Sequence, residues 1–396
     1  MVVKISCVIP TYNRCPYNTK KKKFNPLWWC ITSLNMQSKQ SSLNEIIIID
    51  DNSQDFTKEI VKELSKISKI KIFYRKNKKR VGSGKSRNIG VKFTKNDLIF
   101  FLDDDCILLK KDILEKANYA FNALRNKGIK IGALSLPVTS NKLKSDIVNS
   151  NRIGIINKEK GSIMRYHIEF PKEYISNLEK YYLNKNKKVF WPLKVKVVGG
   201  VFLCDKKAFL DAGGFPTFSW GNIFGEEPEF ILNMQKKGWK VFYLPSIDKK
   251  FRVFHCKFGY KNFDREIGDY NFKIKNIHFR NILKESSKPR TDTGNRVCKE
   301  KMLYSMIISD LFIMFKHFGI KVGLNYINSK YKEIINPVYS KTYKDLDNIQ
   351  FNKKINIFKK AISDGLKILR RKNFITKRSI AILTQNYNLY NRDTPK

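Results

Sequence analysis

Long apolar runs and paired cysteines are both missing from this 396-residue chain. No apolar stretch approaches the ~20 residues that a membrane-spanning helix requires, and the first predicted strand follows the N-terminus without a signal peptide. The seven cysteines are scattered and include no Cys-Xaa-Xaa-Cys pair, which argues against a disulfide framework and against a zinc site. These absences predict a globular protein in a reducing, cytoplasmic setting. The length suffices for a large core and an additional module.

Acidic residues are also scarce, with 35 Asp and Glu against 78 Lys and Arg, which gives a net charge of +43. A surface this basic attracts nucleic acid, anionic lipid or acidic glycans. The abundance of Lys, Ile and Asn is, however, what an A/T-rich genome produces without selection for a partner. No nucleic-acid-binding motif accompanies the lysines, so specific nucleic-acid binding is the least favoured function.

The few carboxylates are concentrated where apolar runs end. Asp103, Asp104 and Asp105 close the run that begins at Asp97, which predicts three carboxylates at the tip of a fully buried strand. Side chains of like charge repel one another at this spacing, so the triplet suits a hard divalent cation shared with substrate phosphates. A strand followed by an acidic turn is the alternative, and the triplet alone does not exclude it.

The surrounding pattern favours the cation site. Apolar strands also precede the polar segments 10–14 and 50–55, and helical spacing of apolar residues at 26–37, 55–67 and 83–93 separates the strands. This βαβα order predicts a parallel sheet, and open parallel sheets bind ligands outside the carboxyl ends of their strands. All three polar clusters therefore meet in one crevice.

A competing phosphate-binding motif is incomplete. Gly82-Ser-Gly84-Lys85-Ser86 is similar to the end of a P-loop, but Lys79 occupies the position of the required first glycine. The glycines are better explained as giving conformational freedom to the chain at the start of the helix that carries Arg87.

Four motifs resemble those of the GT-A-fold glycosyltransferases, most closely the family 2 type, over about residues 3–260. They are Val8-Ile-Pro-Thr-Tyr-Asn13, Asp50-Asp-Asn-Ser53, Ser86-Arg-Asn88 and Leu102-Asp-Asp-Asp105. The resemblance implies an α/β nucleotide-diphospho-sugar transferase fold, which is Rossmann-like with a mostly parallel central sheet and here carries a helical C-terminal extension. It divides the chain into a catalytic domain at 1–260, with a nucleotide-binding half at 1–110 and an acceptor half at 190–260, and a basic helical extension at 261–396.

The resemblance also implies roles for individual residues. The backbone near Pro10 and Tyr12 cradles the nucleobase, Asp51 accepts a hydrogen bond from the base, and Arg87 reaches base or phosphate. Carboxylate, aromatic ring and guanidinium suit these contacts chemically, although each residue also has an ordinary structural explanation. Arg14, Asp103, Asp104 and Gly200 are the other residues expected at the nucleotide-sugar site. Asp105 is the first choice for metal contact, Asp103 is expected to contact ribose or metal, and the role of Asp104 stays open.

The second half of the predicted site lies between 195 and 260. A strand over 195–203 contains a glycine pair whose missing Cβ atoms let a ligand approach, and Gly213-Gly214-Phe215 follows a short helix. The family then has an acidic loop that holds the catalytic base, here Glu226-Glu227 ahead of a helix in which Pro228 takes the first position. We expect Glu227 to be the base with Glu226 beside it, although the family usually has Glu-Asp. His255 is either a metal ligand or a hydrogen-bonded core residue.

The C-terminal extension contains two predicted helices. Leu303–Phe315 is apolar but short and contains Asp310, which favours a core helix. Residues 352–378 are amphipathic and basic, a pattern typical of helices on anionic membrane surfaces and equally of helices packed on the protein with lysines in water.

Together these features predict a metal-dependent glycosyltransferase of hexosyltransferase type that uses Mn²⁺ or Mg²⁺. The donor is a nucleotide-sugar, with UDP favoured by the family, and the acceptor is a hydroxyl of a glycan or lipid-linked molecule in polysaccharide or glycolipid biosynthesis. Inversion of the anomeric centre is implied by the resemblance alone. A catalytically inactive GT-A-fold module that binds glycans or scaffolds partners is the alternative, and a peripheral position at the cytoplasmic face of a membrane is part of the prediction.

Overall fold

The structure is a computed structural model that describes residues 3–14, 26–139, 153–157, 162–164, 192–195, 197–218, 225–244, 251, 253–255, 299–335 and 349–376. The chain divides into two compact units. Unit 1 comprises Met1–Gly154, Arg165–Thr217 and Phe230–Arg290, and unit 2 comprises Ile155–Met164, Phe218–Glu229 and Thr291–Lys396.

The elements of secondary structure alternate between strand and helix over residues 5–101. The strands are β1 Ile5–Thr11, β2 Leu43–Asp50, β3 Lys71–Lys76, β4 Leu98–Phe101, β5 Cys106–Leu108, β6 Ile131–Ser135, β7 Val138–Thr139, β8 Ile153–Asn157, β9 Ser162–Met164, β10 Leu193–Lys194, β11 Val197–Val198, β12 Phe202–Asp205, β13 Lys240–Tyr243 and β14 Val253–His255. The helices are α1 Pro26–Asn35, α2 Thr57–Ile67, α3 Ser83–Val91, α4 Ile113–Asn126, α5 Lys206–Asp211, α6 Glu226–Lys236, α7 Lys299–Ile335 and α8 Phe351–Arg371, with a 3₁₀ turn at Lys39–Ser41.

Eight strands of unit 1 form one mixed, mostly parallel sheet in the order β10-β13-β6-β12-β4-β1-β2-β3. Strands β3, β2, β1 and β4 pair in parallel, as do β6 and β13, whereas β12 is antiparallel to both of its neighbours. A smaller sheet has the order β5-β14-β7. The predicted α/β class with a mostly parallel central sheet is confirmed.

Both faces of the large sheet are buried at β1, β2 and β4, which explains why these strands are largely continuous apolar runs, whereas the edge strand β3 is partly exposed and carries charged residues. Because side chains alternate along a strand, Ile46 and Ile48 join a core cluster with residues of α1, α2 and α4. The intervening Ile47 and Ile49 join a second cluster with residues of α3 and α5 and with Phe230 of α6. Helices cover each face, so a strand such as β2 has no side that can be polar.

Most predicted elements of unit 1 are confirmed to within a few residues, including the helices at 26–37, 55–67 and 83–93 and the strand that ends at the acidic triplet. The single strand predicted over 195–203 is wrong. The chain forms β11 and β12 with Gly199 and Gly200 between them, and Gly200 has a φ of +76°, which interrupts an extended strand. Pro228 is the third residue of α6 rather than the first, a position in the first turn that still needs no N–H donor.

Helix α3 lies unusually close to the sheet because Gly90 has no side chain. A Cβ atom at this position would be 2.5 Å from Cγ1 of Val8 in β1 and 3.3 Å from Cγ1 of Ile49 in β2. Such distances are well inside van der Waals contact, so a larger residue would push the helix outward. The glycine thereby keeps Arg87, one turn earlier in α3, near the carboxyl ends of the strands.

Unit 2 is built around α7 and α8. The predicted core helix 303–315 lies within α7 and is buried, including Asp310, and Gly319, with a φ of +84°, breaks the helical conformation of α7. Helix α8 packs its apolar side chains inward and approaches α7 closely at Gly365, where a Cβ would be 2.6 Å from Leu311.

The basic side chains of α8 remain on the surface. Those that are exposed are Lys353, Lys360, Lys367, Arg370 and Arg371. Of the two arrangements that the sequence allowed, this helix therefore has the one with its apolar side packed on protein, and residues 377–378 of the predicted segment lie outside the described residues. Among the described helices, none combines the length and apolar character needed to cross a membrane.

Candidate active site

The predicted nucleotide-binding residues of the first half of the chain lie in unit 1, at the carboxyl ends of β1, β2 and β4. Strand β1 leads to Tyr12, β2 to Asp51, and β4 to the acidic triplet. The backbone N–H of Asp51 donates to the carbonyl of Thr11 at 2.8 Å, so the parallel pairing continues past the ends of the strands. Asn13 and Asn52 have φ values of +47° and +68°, a left-handed conformation that asparagine tolerates better than most residues.

Side-chain hydrogen bonds join the first two polar turns. The backbone N–H of Asn13 donates to Oγ of Ser53 at 2.8 Å, and Oδ1 of Asn13 accepts from the backbone N–H of Gln54 at 2.9 Å. Oδ1 of Asp50 accepts the backbone N–H of Ser53 at 2.7 Å. These hydrogen bonds fix the two turns relative to each other. They also explain why the two motifs contain Asn13 and Ser53.

Asp51 is buried and holds the segment that leads into α3. Its carboxylate accepts the backbone N–H groups of Val81 at 2.7 Å and Gly82 at 2.8 Å, and the side-chain amide of Asn77 at 3.1 Å. Asp51 therefore has a structural role, because it fixes the backbone immediately before α3. The contact with a nucleobase predicted from the sequence would be a second role of this residue.

Two arginines compensate the charge of the triplet. Arg14 makes a bidentate ion pair with Asp104, in which Nε is 2.5 Å from Oδ2, and its Nη2 is also 3.1 Å from Oδ2 of Asp105. Arg87 donates to Oδ1 of Asp103 at 2.6 Å. Because Asp104 and Asp105 are buried, their mutual repulsion would be severe without these partners. All three carboxylates of the triplet contact an arginine, and Asp104 is paired with Arg14 through both of its oxygens.

The imidazole of His255 lies against the triplet. Nε2 of His255 is 3.1 Å from Oδ1 of Asp105, and β14 pairs with β5 so that His255 is opposite Cys106. The ligand atoms of Asp103, Asp105, Cys106 and His255 all lie within 4.8 Å of one another. Carboxylate oxygen and imidazole nitrogen are ligands that Mn²⁺ accepts, and carboxylate oxygen alone suits Mg²⁺. The donor set therefore fits a divalent cation.

Asn88 connects α3 to the Gly-Gly-Phe segment. Its side-chain amide donates to the carbonyl of Phe215 at 2.8 Å and its Oδ1 accepts the backbone N–H of Phe215, also at 2.8 Å. A Cβ on Gly214 would be 2.8 Å from that Oδ1, so glycine is required for this approach. The ring of Phe215 in turn lies beneath the Arg87 guanidinium, 5.2 Å from its centroid.

The remaining predicted residues of unit 1 border this region. The ring of Tyr12 lies under the guanidinium of Arg80 at 4.3 Å, a cation–π contact. Pro10 pairs with Ile49 in the sheet. Gly200 is buried between β11 and β12.

Glu226 and Glu227 are the first two residues of α6 and belong to unit 2. Glu226 is buried, whereas Glu227 is partly exposed. The positive end of the helix dipole lies at this terminus and stabilises ionised carboxylates there. A partly exposed, ionised carboxylate is suited to accept a proton from a hydroxyl group.

Several contacts at the candidate site were not expected from the sequence. Cys106 directly follows the triplet, but only the pairing of β5 with β14 indicates its position beside His255. Arg80 and Asn77 belong to a lysine-rich segment, and no motif indicates their contacts with Tyr12 and Asp51. The Ser-Arg-Asn motif could have drawn attention to Asn88, although its partner is 127 residues away.

Comparison with known proteins finds similar sequences for the first third of the chain. The family model described as "Glycosyl transferase family 2" matches residues 6–126. An uncharacterized glycosyltransferase of Rickettsia conorii is 33% identical over 126 residues, which are 30% of this chain and 18% of the relative. The GalNAc(5)-diNAcBac-PP-undecaprenol beta-1,3-glucosyltransferase of Campylobacter jejuni is 33% identical over 122 residues, 30% of this chain and 36% of the relative. The matches thus span well under half of either relative.

Among solved structures, GalNAc-T7 with UDP, GalNAc and Mn²⁺ is similar with a TM-score of 0.45 and 19% identity, covering 64% of this chain and 44% of that one.

Replacing Asn88 tests the connection between α3 and the Gly-Gly-Phe segment. In Asn88→Ala the N–H and carbonyl of Phe215 lose their partners, so we expect the free energy of unfolding to fall by about 1–3 kcal/mol. Urea-induced unfolding measures it, with Lys92→Ala, an exposed change next to the same helix, as control. Equal stability of the two variants would contradict the prediction.

Proposed function

We propose that this chain is a metal-dependent glycosyltransferase, because residues 6–126 match the family model described as "Glycosyl transferase family 2". It transfers a hexose from a nucleoside diphosphate sugar to a hydroxyl group of a glycan or lipid-linked acceptor. The observation that carries the proposal is the cluster of Asp103, Asp105 and His255 at the strand ends. UDP is the favoured nucleotide because the resemblance favours it.

The cation would be held by Asp105 and His255. Asp103 lies beside them and would contact either the cation or the ribose of the donor. A bound Mn²⁺ or Mg²⁺ neutralises charge on the leaving diphosphate. Arg87 and Arg14 already lie against these carboxylates, so their guanidinium groups are close enough to the proposed metal site to attract the diphosphate. Tyr12, Asp51 and the backbone at Pro10 and Gly200 complete the proposed donor site.

Glu227 is the proposed base. It accepts the proton of the acceptor hydroxyl while the hydroxyl oxygen forms a bond to the anomeric carbon and the bond from that carbon to the diphosphate oxygen breaks. The diphosphate leaves with the electron pair of that bond, and attack from the opposite face inverts the configuration. Glu226, which is buried, lies next to the base and shares the helix terminus.

The name of the Campylobacter jejuni relative supports a lipid-linked acceptor. If the acceptor is membrane-bound, a basic surface would bring this chain to it. The exposed lysines and arginines of α8 supply such a surface, and they can act by charge alone while the apolar side of the helix stays packed on α7. We therefore propose a peripheral position at an anionic cytoplasmic membrane face.

A nucleotide-release assay tests the donor site. Purified protein with UDP-, GDP- and dTDP-sugars should release one nucleoside diphosphate with Mn²⁺ or Mg²⁺ and none with EDTA. We expect Asp105→Ala to lose at least about 100-fold in rate, because it removes charge stabilisation of the leaving group. Asp112→Ala, in which a partly exposed carboxylate next to α4 is removed, should be as active as the wild type. No turnover and no metal-dependent UDP binding would favour an inactive binding module.

Separate substitutions of the two glutamates distinguish the base from its neighbour. Glu227→Gln keeps the size of the side chain but cannot accept the proton, so we expect turnover to fall by about 100- to 10,000-fold. Binding of UDP with Mn²⁺, measured by calorimetry, should be unchanged. The assignment is wrong if Glu226→Gln abolishes turnover and Glu227→Gln does not.

Vesicle sedimentation tests the membrane surface. The protein should bind vesicles of phosphatidylcholine with phosphatidylglycerol, and not phosphatidylcholine alone, with binding lost at high salt. Reversing Lys360, Lys367 and Arg371 to Glu should weaken binding at least about 100-fold, at ~1 kcal/mol for each basic residue. Reversing the exposed Lys58, Lys62 and Lys69 of unit 1 changes net charge equally. An equal loss in both triple variants would show that net charge, not α8, is responsible.

A further inference from the structure

The segment that carries Glu226 and Glu227 belongs to the same compact unit as the C-terminal helices. Unit 2 contains Phe218–Glu229 together with Thr291–Lys396. The resemblance to the family gives no role to the C-terminal residues. Contacts within unit 2 join this segment to α7 and indicate a role for that helix.

Glu229, two residues after the proposed base, is the centre of a buried ionic cluster. Its Oε2 is 2.7 Å from Nε2 of His317, and its Oε1 is bonded to Nζ of Lys316. The side chains of Glu229 and His317 are each only 2% exposed, and that of Lys316 is 19% exposed. The cluster lies in the first turn of α6 on one side and in α7, just before the break at Gly319, on the other.

The carboxylate of Glu229 remains charged in this environment. Burial by itself raises its pKa, but the hydrogen bonds and charges of His317 and Lys316 outweigh burial, so the pKa of Glu229 lies below its ordinary value. A buried carboxylate that lost one of these partners would be left with an uncompensated charge. The contact is therefore strongly dependent on all three side chains.

An aromatic contact holds the other end of the same segment. The ring of Phe218 packs against Phe312 of α7, edge to face, with centroids 6.0 Å apart. Phe312 lies about one turn before Lys316 on α7 and also contacts Phe374, which follows α8, with centroids 5.8 Å apart. Residues 312–317 therefore contact both the beginning and the end of Phe218–Glu229.

We propose that residues 312–317 of α7 form an anchor that positions Glu226 and Glu227. Glu229 is the residue of α6 that this anchor binds, and it acts as a positioning residue. This inference rests on the proposed function and extends it, because it makes the C-terminal region part of the machinery for the acceptor. Glu229 does not touch substrate in this assignment. It acts through the first turn of α6, where a displacement of about 1 Å at the base can cost about 100-fold in rate.

Two variants weaken the anchor to different degrees. Glu229→Gln keeps the volume but removes the charge, and Lys316→Met removes one partner while His317 remains. Glu229→Asp keeps the charge on a shorter side chain and serves as the conservative variant. The matched control is Glu300→Gln, which removes a second ion pair in unit 2, between Glu300 and Lys353 with a length of 2.7 Å, whose side chains are 41% and 55% exposed.

Kinetics separate positioning from general damage. For the nucleotide-sugar that the wild type turns over, we expect kcat of Glu229→Gln to fall about 10- to 100-fold, with KM and the affinity for UDP with Mn²⁺ unchanged. Lys316→Met should lose less, Glu229→Asp should recover part of the rate, and Glu300→Gln should equal the wild type. Unchanged kcat in Glu229→Gln, or loss of UDP affinity in parallel with kcat, would overturn the proposal.

Hydrogen exchange gives a readout that does not depend on turnover. In Glu229→Gln and Lys316→Met, amides of 229–236 and 312–318 should exchange faster than in the wild type and in Glu300→Gln, while those of β1, β2 and β4 keep their protection. If exchange at 229–236 is unchanged, the anchor does not exist. If the wild type turns over no donor but exchange changes as described, the proposed function fails and the anchor stands.

Discussion

Charge compensation at the carboxyl end of β4 is the interaction on which the site depends. A parallel sheet with helices on both faces brings several strand ends to one edge, and here three consecutive carboxylates lie at that edge. Arg14, from the turn after β1, and Arg87, from α3, neutralise them. Without these arginines the triplet would repel itself in a partly dry environment. The same arrangement leaves Asp105 and His255 in contact, which is the basis of the proposed cation site.

The position of α3 follows from contacts on both of its sides. Gly90 allows the helix to approach β1 and β2, and Asp51 fixes the backbone that enters it. Asn88 then bonds the backbone of Phe215, whose ring lies beneath Arg87. Helix α3 thus connects the motifs that contain Asp51 and Asn88 with the segment Gly213-Gly214-Phe215. This connection explains why small and polar residues, which are poor helix formers, occur along α3.

The second unit has a comparable organisation around α7. Its aromatic and ionic contacts hold the segment that carries Glu226 and Glu227, and its packing against α8 leaves the basic residues of α8 on the surface. The family match ends at residue 126, so the roles of Glu229, Lys316 and His317 come from the contacts alone. A buried charged cluster adds little net stability, and the role proposed for this one is to fix a specific arrangement.

The sequence by itself determined the order of strands and helices, the mostly parallel sheet and the edge at which the site lies. These features depend on local periodicity and on motifs a few residues long, and parallel strands must deliver their ends to the same edge. Tertiary structure alone decided which side chains contact one another. Arg14 and Asp104 are 90 residues apart, Asn88 and Phe215 are 127 apart, and Glu229 and His317 are 88 apart. The break at Gly200 was likewise invisible in an apolar run. Partners at such separations are selected by packing and charge in the folded chain, and no local pattern encodes them.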